Sequence, residues 1–264
     1  MNIALSTLLL FLFLLPGILY RRTYYSEEFS KEYFKTTFFG IFTSTFIPSL
    51  IFHTIWYYLA NAFGYKVDLL ILFDLFSKMP AKESILNIES YSLSIVIYNL
   101  SLFLTSILLG YLSKQLIRNC KWDRKYKQFR FQNSWHYILT GEFFDFPRSN
   151  FSLENDSVEA IEFIYVNILI DIDDAYLYDG ILVDYELSKD GGLETITLKN
   201  CERRLLKSDC DIPVEGEKSK NPNKYPIDGH MLLFKYDEIK NINFSYYKLQ
   251  EEEKENSFKP VLVG

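Results

Sequence analysis

Three long apolar runs constrain this chain more than any other feature. Residues 3–20 carry no charge and are mostly Leu, Phe and Ile. Residues 36–63 are free of Asp, Glu, Lys and Arg for 28 positions, and residues 90–113 are again uncharged. A bilayer core takes about 20 apolar residues of helix at 1.5 Å rise each, so each run is expected to span. No base precedes the first run and no small-x-small site follows it, which predicts an uncleaved span rather than a secretory leader. The second run is longer than the hydrocarbon layer and has to tilt or kink, with Pro48 the expected kink point. Residues 67–76 are apolar but short and interrupted by Asp68 and Asp74, the pattern of an interfacial piece.

Basic residues set the expected orientation. Arg21, Arg22, Lys31 and Lys35 lie between the first two runs. After the third come Lys114, Arg118, Lys121, Arg124, Lys125, Lys127 and Arg130, against Asp123 alone. This cluster predicts an outside N-terminus and a cytoplasmic C-terminal part. The cluster is either a topology signal alone, which is the favoured expectation, or also touches anionic lipid headgroups, at about 1 kcal/mol per base near the surface.

Polar side chains inside the runs are the first site candidates. Ser94, Tyr98, Ser101 and Thr105 recur at helical spacing on one face of the third run, with Asn99, Ser106, Gly110 and Ser113 on an adjacent stripe. Such a face lines a pore or packs against a neighbouring helix, where small and hydroxylated residues are enriched; packing is the favoured expectation. His53 is the ionisable residue of the second run. An ionisable group at membrane depth is a functional candidate by default, but a lone His near the aromatic cluster Trp56, Tyr57 and Tyr58 is equally expected to reach interfacial water.

Beyond residue 113 the character of the chain changes. A basic linker and an aromatic-rich stretch lead to residue 150. Period-two runs follow at 162–170, 175–186 and 193–199, then two shorter ones at 231–236 and 241–247, which predicts five antiparallel strands. Residues 206–228 read as a loop, and the charged tail after 250 as frayed. Gly180 sits where a strand of a small closed sheet has to bend. Residues 141–264 carry 26 acidic and 14 basic side chains, a net of −12. Nucleic acid is bound mainly through Lys and Arg, so this part is not expected to bind it.

Chemistry-bearing motifs are sparse. There is no P-loop, GxGxxG, HExxH or G-x-S-x-G. Asp171, Asp173, Asp174 and Asp179 lack the spacing of a calcium loop and fit a solvated turn. Cys201, Cys210 and His230 are too few and too widely spaced for zinc. His136 with Glu142 and Asp145 could form an acid–base set, but a His among aromatic residues is more often packing. No metal, no cofactor and no catalysis are expected.

The pattern Val166-x-Ile-x-Ile, Tyr178-Asp-Gly-x-Leu182, Leu193-x-x-Ile-x-Leu and the pair around Phe234 to Ile242 resembles the Sm-like and SH3-like small β-barrels over residues 162–247. The resemblance implies a cytoplasmic barrel. The plan of spans followed by a β-domain, with Trp135-His-Tyr-x-Leu-x-Gly-Glu142, resembles a set of uncharacterised bacterial membrane proteins and, in topology, the small-conductance mechanosensitive channels. That likeness implies a homo-oligomer in a bacterial inner membrane. The expected fold is three transmembrane helices plus a mainly-β small barrel, divided at 1–113, 114–150, 151–250 and 251–264. Its expected role is to bind a protein or small ligand and signal to the spans, in the manner of a membrane-perturbing antiviral effector. The alternative is a passive anchor that recruits a cytoplasmic complex.

Overall fold

The computed structural model describes residues 3–30, 37–65, 67, 86, 89–149, 153, 156–171, 175–188, 190–207, 224–252 and 257–263. The expectations placed on 68–76, 173–174 and 208–223 lie outside the described residues. The chain forms two compact units, residues 1–123 and 124–264, each treated by itself.

The first unit contains α1 (Ile3–Tyr24), α2 (Phe38–Ala62) and α3 (Ser92–Asn119), all long and apolar enough to cross a membrane. Thr37 caps α2, its hydroxyl accepting from the Gly40 N–H at 3.1 Å. Lipid tails offer no hydrophobic drive between helices, so close backbone approach does the packing. Gly17 of α1 meets Thr45 and Ser49 of α2, while Gly110 of α3 meets Tyr20 and Thr23 of α1. These contacts run α1 and α3 parallel, with α2 antiparallel between their sequence positions. α1 and α2 each run through a proline, Pro16 and Pro48. Around Pro16 the polar contacts come from α2. Ser49 Oγ accepts from the Gly17 N–H at 2.9 Å and donates to Leu14 O at 2.9 Å, and His53 Nε2 reaches Phe13 O at 3.1 Å. A proline removes one helical donor and loosens the turn, and hydroxyl and imidazole groups of a neighbouring helix satisfy the main chain there.

The second unit begins with aromatic-rich turns and α5 (Ser134–Leu139), after the short helical turn α4 (Trp122–Lys125) that spans the division. Asn133 Oδ1 caps α5 by accepting from the His136 N–H at 3.0 Å. Gly141 ends it with φ 77°, the left-handed geometry that favours glycine, where a Cβ would also overlap Ile161. The sheet follows: β1 (Phe163–Asp171), β2 (Ala175–Leu187), β3 (Leu193–Leu205), β4 (Tyr225–Pro226), β5 (Leu232–Lys235), β6 (Ile239–Glu252) and β7 (Ser257–Leu262). All pairings are antiparallel in the order β4-β3-β2-β1-β6-β7, with β5 also on β3. The sheet is a curled half-barrel. Alternation builds its core: Ile164, Val166 and Ile168 of β1 point inward with Ile196 and Leu198 of β3, Phe234 and Tyr246.

Two local findings differ from the expectation. The tail is no frayed end: residues 257–262 pair with 247–252 of β6, and Val263 is buried against the core. Phe258, Val261 and Val263 supply the apolar positions that a charge count over 251–255 overlooks. Second, Asp171 and Asp179 do not share a turn: Asp171 ends β1, whereas Asp179 lies within β2 and is buried. Gly180 does occupy a crowded strand position, where a Cβ would lie 3.0 Å from Leu198 Cβ and 3.1 Å from Cys201 Sγ.

Replacing Gly110 by Leu forces the α1–α3 contact apart. Overpacking of this kind costs about 1–3 kcal/mol. The melting temperature of the detergent-purified chain should fall by several degrees, with Leu109→Ala on the exposed side of α3 nearly unchanged.

Candidate functional site

Some of the polar residues of the apolar runs bond a neighbouring helix. Trp56 Nε1 donates to Ser101 Oγ at 3.0 Å. The Tyr98 hydroxyl lies 3.5 Å from His53 Nδ1, and the His53 ring stacks on Phe13 with centroids 4.8 Å apart. A carbonyl only accepts, so Nε2 of His53 carries its hydrogen and Nδ1 is the acceptor. Ser106 and Gly110 are buried on the α3 ridge that meets α1. Thr105 Oγ1 donates to Ser101 O and Asn99 Nδ2 to Ile95 O, both bonds within their own helix. Ser94 is exposed at the start of α3. Tyr98 and Ser101 therefore meet α2 and Gly110 meets α1, while Ser106 is buried and bonds Leu102 O of its own helix.

The basic cluster divides into enclosed and exposed members. Lys114 is 2% exposed, against the expectation of headgroup contact. Its ammonium bonds Glu27 Oε2 at 2.7 Å and Ser26 O at 3.2 Å, with Glu28 Oε2 at 3.6 Å and the Phe29 ring at 5.7 Å. Arg118 pairs at 2.7 Å with the buried Asp123 and lies over the same ring. The reason is local: the turn after α1 brings two glutamates and an aromatic ring to the last turns of α3, and a buried charge requires a partner. Lys121, Lys125 and Lys127 are exposed, and Arg130 stacks on Phe146 at 3.5 Å. The Lys114 ammonium, by hydrogen bond and charge, holds the Glu27 carboxyl below the ordinary carboxylate range.

In the second unit Arg124 heads an ion network that sequence spacing suggested only in part. Its guanidinium meets Glu142 at 2.7 Å, Asp145 at 2.9 Å and Glu159 at 3.9 Å. His136 lies 4.0 Å from Glu142, and its Nδ1 is 3.0 Å from the Tyr185 hydroxyl on β2. His136, Glu142 and Asp145 do come together, but Arg124 occupies the centre. Their geometry ties α5 and the 142–145 turn to the sheet.

These ties hold one wall of a groove. Trp135, Ile138 and Phe143 face Tyr236 and the start of β6, residues 239–244, across a space of about 560 Å³. Trp135 and Tyr236 meet edge to face with centroids 5.5 Å apart, and the Tyr246 hydroxyl donates to Ile138 O at 2.7 Å. Burial pushes the Tyr246 hydroxyl far above its ordinary value. Composition flagged the aromatic residues; their partner strand lies about 100 residues downstream and gave no local signal.

The other face of the sheet carries a polar row across four strands, Glu202–Asp179–Asn167–Asn243. Asp179 accepts from Asn167, and Lys224 pairs with Asp179 at 2.5 Å and Glu202 at 3.6 Å. Burial, with the charges of Asp179 and Glu202, pushes the neighbouring Tyr165 hydroxyl up to about 12. Cys201 is buried in the core, and that burial raises its thiol; Cys210 lies outside the described residues. Among the described residues no three His, Cys, Asp or Glu side chains gather in a way that could hold a metal ion. Comparison with protein-family models, curated proteins and solved structures finds no match.

Two outcomes follow. A lowered folded-state pKa means that the Glu27 contribution is present above the ordinary carboxylate value and is lost as pH falls through the lowered one. The melting-temperature gap between the natural chain and Glu27→Gln should therefore be full at neutral pH and close in acid. Arg124→Met leaves Glu142, Asp145 and Glu159 facing one another and should cost roughly 3–5 kcal/mol. Glu159→Gln, at the exposed end of the network, should cost under about 1 kcal/mol by thermal unfolding.

Proposed function

We propose that this protein is a non-enzymatic, membrane-anchored binding module. Three helices hold an acidic β-unit at the cytoplasmic face of a bacterial inner membrane, with the N-terminus outside, and the β-unit recruits a protein partner. The observation that carries the reading is how the two units use their polar groups. In the first, Ser101, Tyr98, His53 and Ser49 bond neighbouring helices or their own, as in an anchor. In the second, the aromatic groove beside β6 stays open. The half-barrel is in keeping with the Sm-like and SH3-like plan, which presents ligands along strand edges and loops.

The orientation rests on charge. Arg21 and Arg22 end α1, and Arg118 with the exposed Lys121, Lys125 and Lys127 follows the far end of α3. The exposed bases contact anionic headgroups in this reading. A gated pore would instead need the α3 stripe to face an axis shared between copies.

Reconstituted in vesicles, the full chain should release a trapped fluorescent dye no faster than protein-free vesicles. Leakage that Ser94→Leu with Ser101→Leu abolishes would replace the anchor with a pore. In cells, a chimera with a foreign three-span segment in place of residues 1–113 should crosslink to the same proteins as the natural chain. Loss of those crosslinks while the β-unit stays folded at the membrane would overturn the anchor role.

A further inference from the structure

This inference rests on the binding-module reading and names the surface and the occupant. β6 is a long strand with unequal neighbours. Along one edge it pairs with β1 from Ile239 to Tyr247. Along the other it pairs with β7, but only from Tyr247 to Glu252, and the contact ends with the Val263 N–H donating to Tyr246 O at 2.9 Å. Among the described residues no strand continues that edge toward residue 241.

The direction of the main chain there follows from alternation. In an antiparallel pair, successive residues aim their N–H and C=O groups at opposite neighbours. Tyr247 O accepts from the Glu162 N–H on the β1 side at 2.9 Å, whereas Tyr246 O accepts on the β7 side. The register runs unbroken from Tyr247 back to Asn241. Phe244 and Ile242, in phase with Tyr246, therefore aim their N–H and C=O groups at the open edge. A register shift at Leu169/Ile170 bounds the edge at its far end. The groove lies along this stretch, with Trp135, Ile138 and Phe143 as its opposite wall.

We propose that this edge binds an extended segment of a partner protein, which joins the sheet antiparallel to β6 and continues the line of β7. A concave slot with an aromatic wall suits one added strand, whereas the edge of a second folded sheet would collide with Trp135 and Phe143. Side chains of an added strand alternate between faces. Apolar residues at every second position meet Trp135, Phe143 and Phe244, and those between them meet Asn241 and Asn243 on the outer face. Exposed Asp237 and Glu238 stand beside Tyr236, against the single base Lys240 in the lining, and residues 141–264 carry a net −12. The partner segment is accordingly basic at its polar positions.

The test uses the full chain in a non-ionic detergent and a fluorescein-labelled eight-residue peptide of alternating Lys and Val. A peptide with four Lys followed by four Val has the same charge and composition. Fluorescence anisotropy should show the alternating peptide binding at least tenfold tighter than the block peptide. Trp135→Ala and Ile242→Pro, each checked for an unchanged thermal transition, should weaken the alternating peptide about tenfold and leave the block peptide unaffected. If Ile242→Pro does not fold, an alternating peptide with a central Pro, which lacks an N–H, serves as the equivalent probe and should lose the same factor.

Equal binding of the two peptides, or tight binding that survives both variants, overturns the proposal. A chain that is dimeric by light scattering, becomes monomeric in Ile242→Pro and ignores the peptide assigns the edge to a second copy and also overturns it. Crosslinking to a partner that persists through both variants leaves the binding module standing and removes only this edge from it.

Discussion

Main-chain N–H and C=O groups need partners wherever water is excluded, and this requirement organises both units. At membrane depth it is strict, because an unsatisfied group costs several kcal/mol in hydrocarbon. Pro16 withdraws one donor from α1, and α2 answers with Ser49 and His53 on Leu14, Gly17 and Phe13. That answer requires the backbones to approach closely, and Gly17 is the residue that permits it. His53 thus looks in sequence like a displaced functional group, and in the bundle it is a hydrogen-bond partner for a loosened helix. In the β-unit the same requirement is met strand by strand across the half-barrel and runs out along β6 beyond Tyr246.

Charge is handled in a parallel way. In the proposed reading, orientation rests on the number of positive residues after the third span, and number is a sequence property. Their individual fates depend on what the fold brings near them. Lys114 is enclosed by the 26–29 turn, Arg118 by Asp123, and Arg124 by carboxylates from two separate turns. Removing one partner of such a buried pair is far costlier than removing both, because the remaining charge has left water without compensation. Lys125 and Lys127, by contrast, stay exposed. The Arg124 network, with the His136–Tyr185 contact, also steadies the aromatic wall of the groove, so electrostatics in one place shapes the surface in another.

Much of this was legible in the chain itself. Uncharged length identifies a spanning helix because hydrocarbon thickness and helical rise are both constant. Period-two alternation located β1 and β3, since each buries one face; Val166, Ile168, Ile196 and Leu198 show the signal plainly. The hydroxyl stripes of α3 pointed to packing, yet spacing could not say that Ser101 meets Trp56 or that Gly110 meets Tyr20. β7 was missed because the acidic run before it outweighed the apolar residues Phe258, Val261 and Val263. The groove was illegible because Trp135 and Ile242 are distant in sequence and no local pattern couples them.

The sequence by itself determined the class of molecule: three apolar helices, an acidic β-rich remainder and the excess of bases between them. Those follow from composition and periodicity, which act over a few residues at a time. Tertiary structure decided which polar groups are used up and which remain. Lys114, His53 and Asp179 were drawn into contacts, while the edge at Ile242 and Phe244 was left open. The physical reason is that hydrogen bonds and ion pairs are closed by partners distant along the chain, and only folding brings those partners within 3 Å or so.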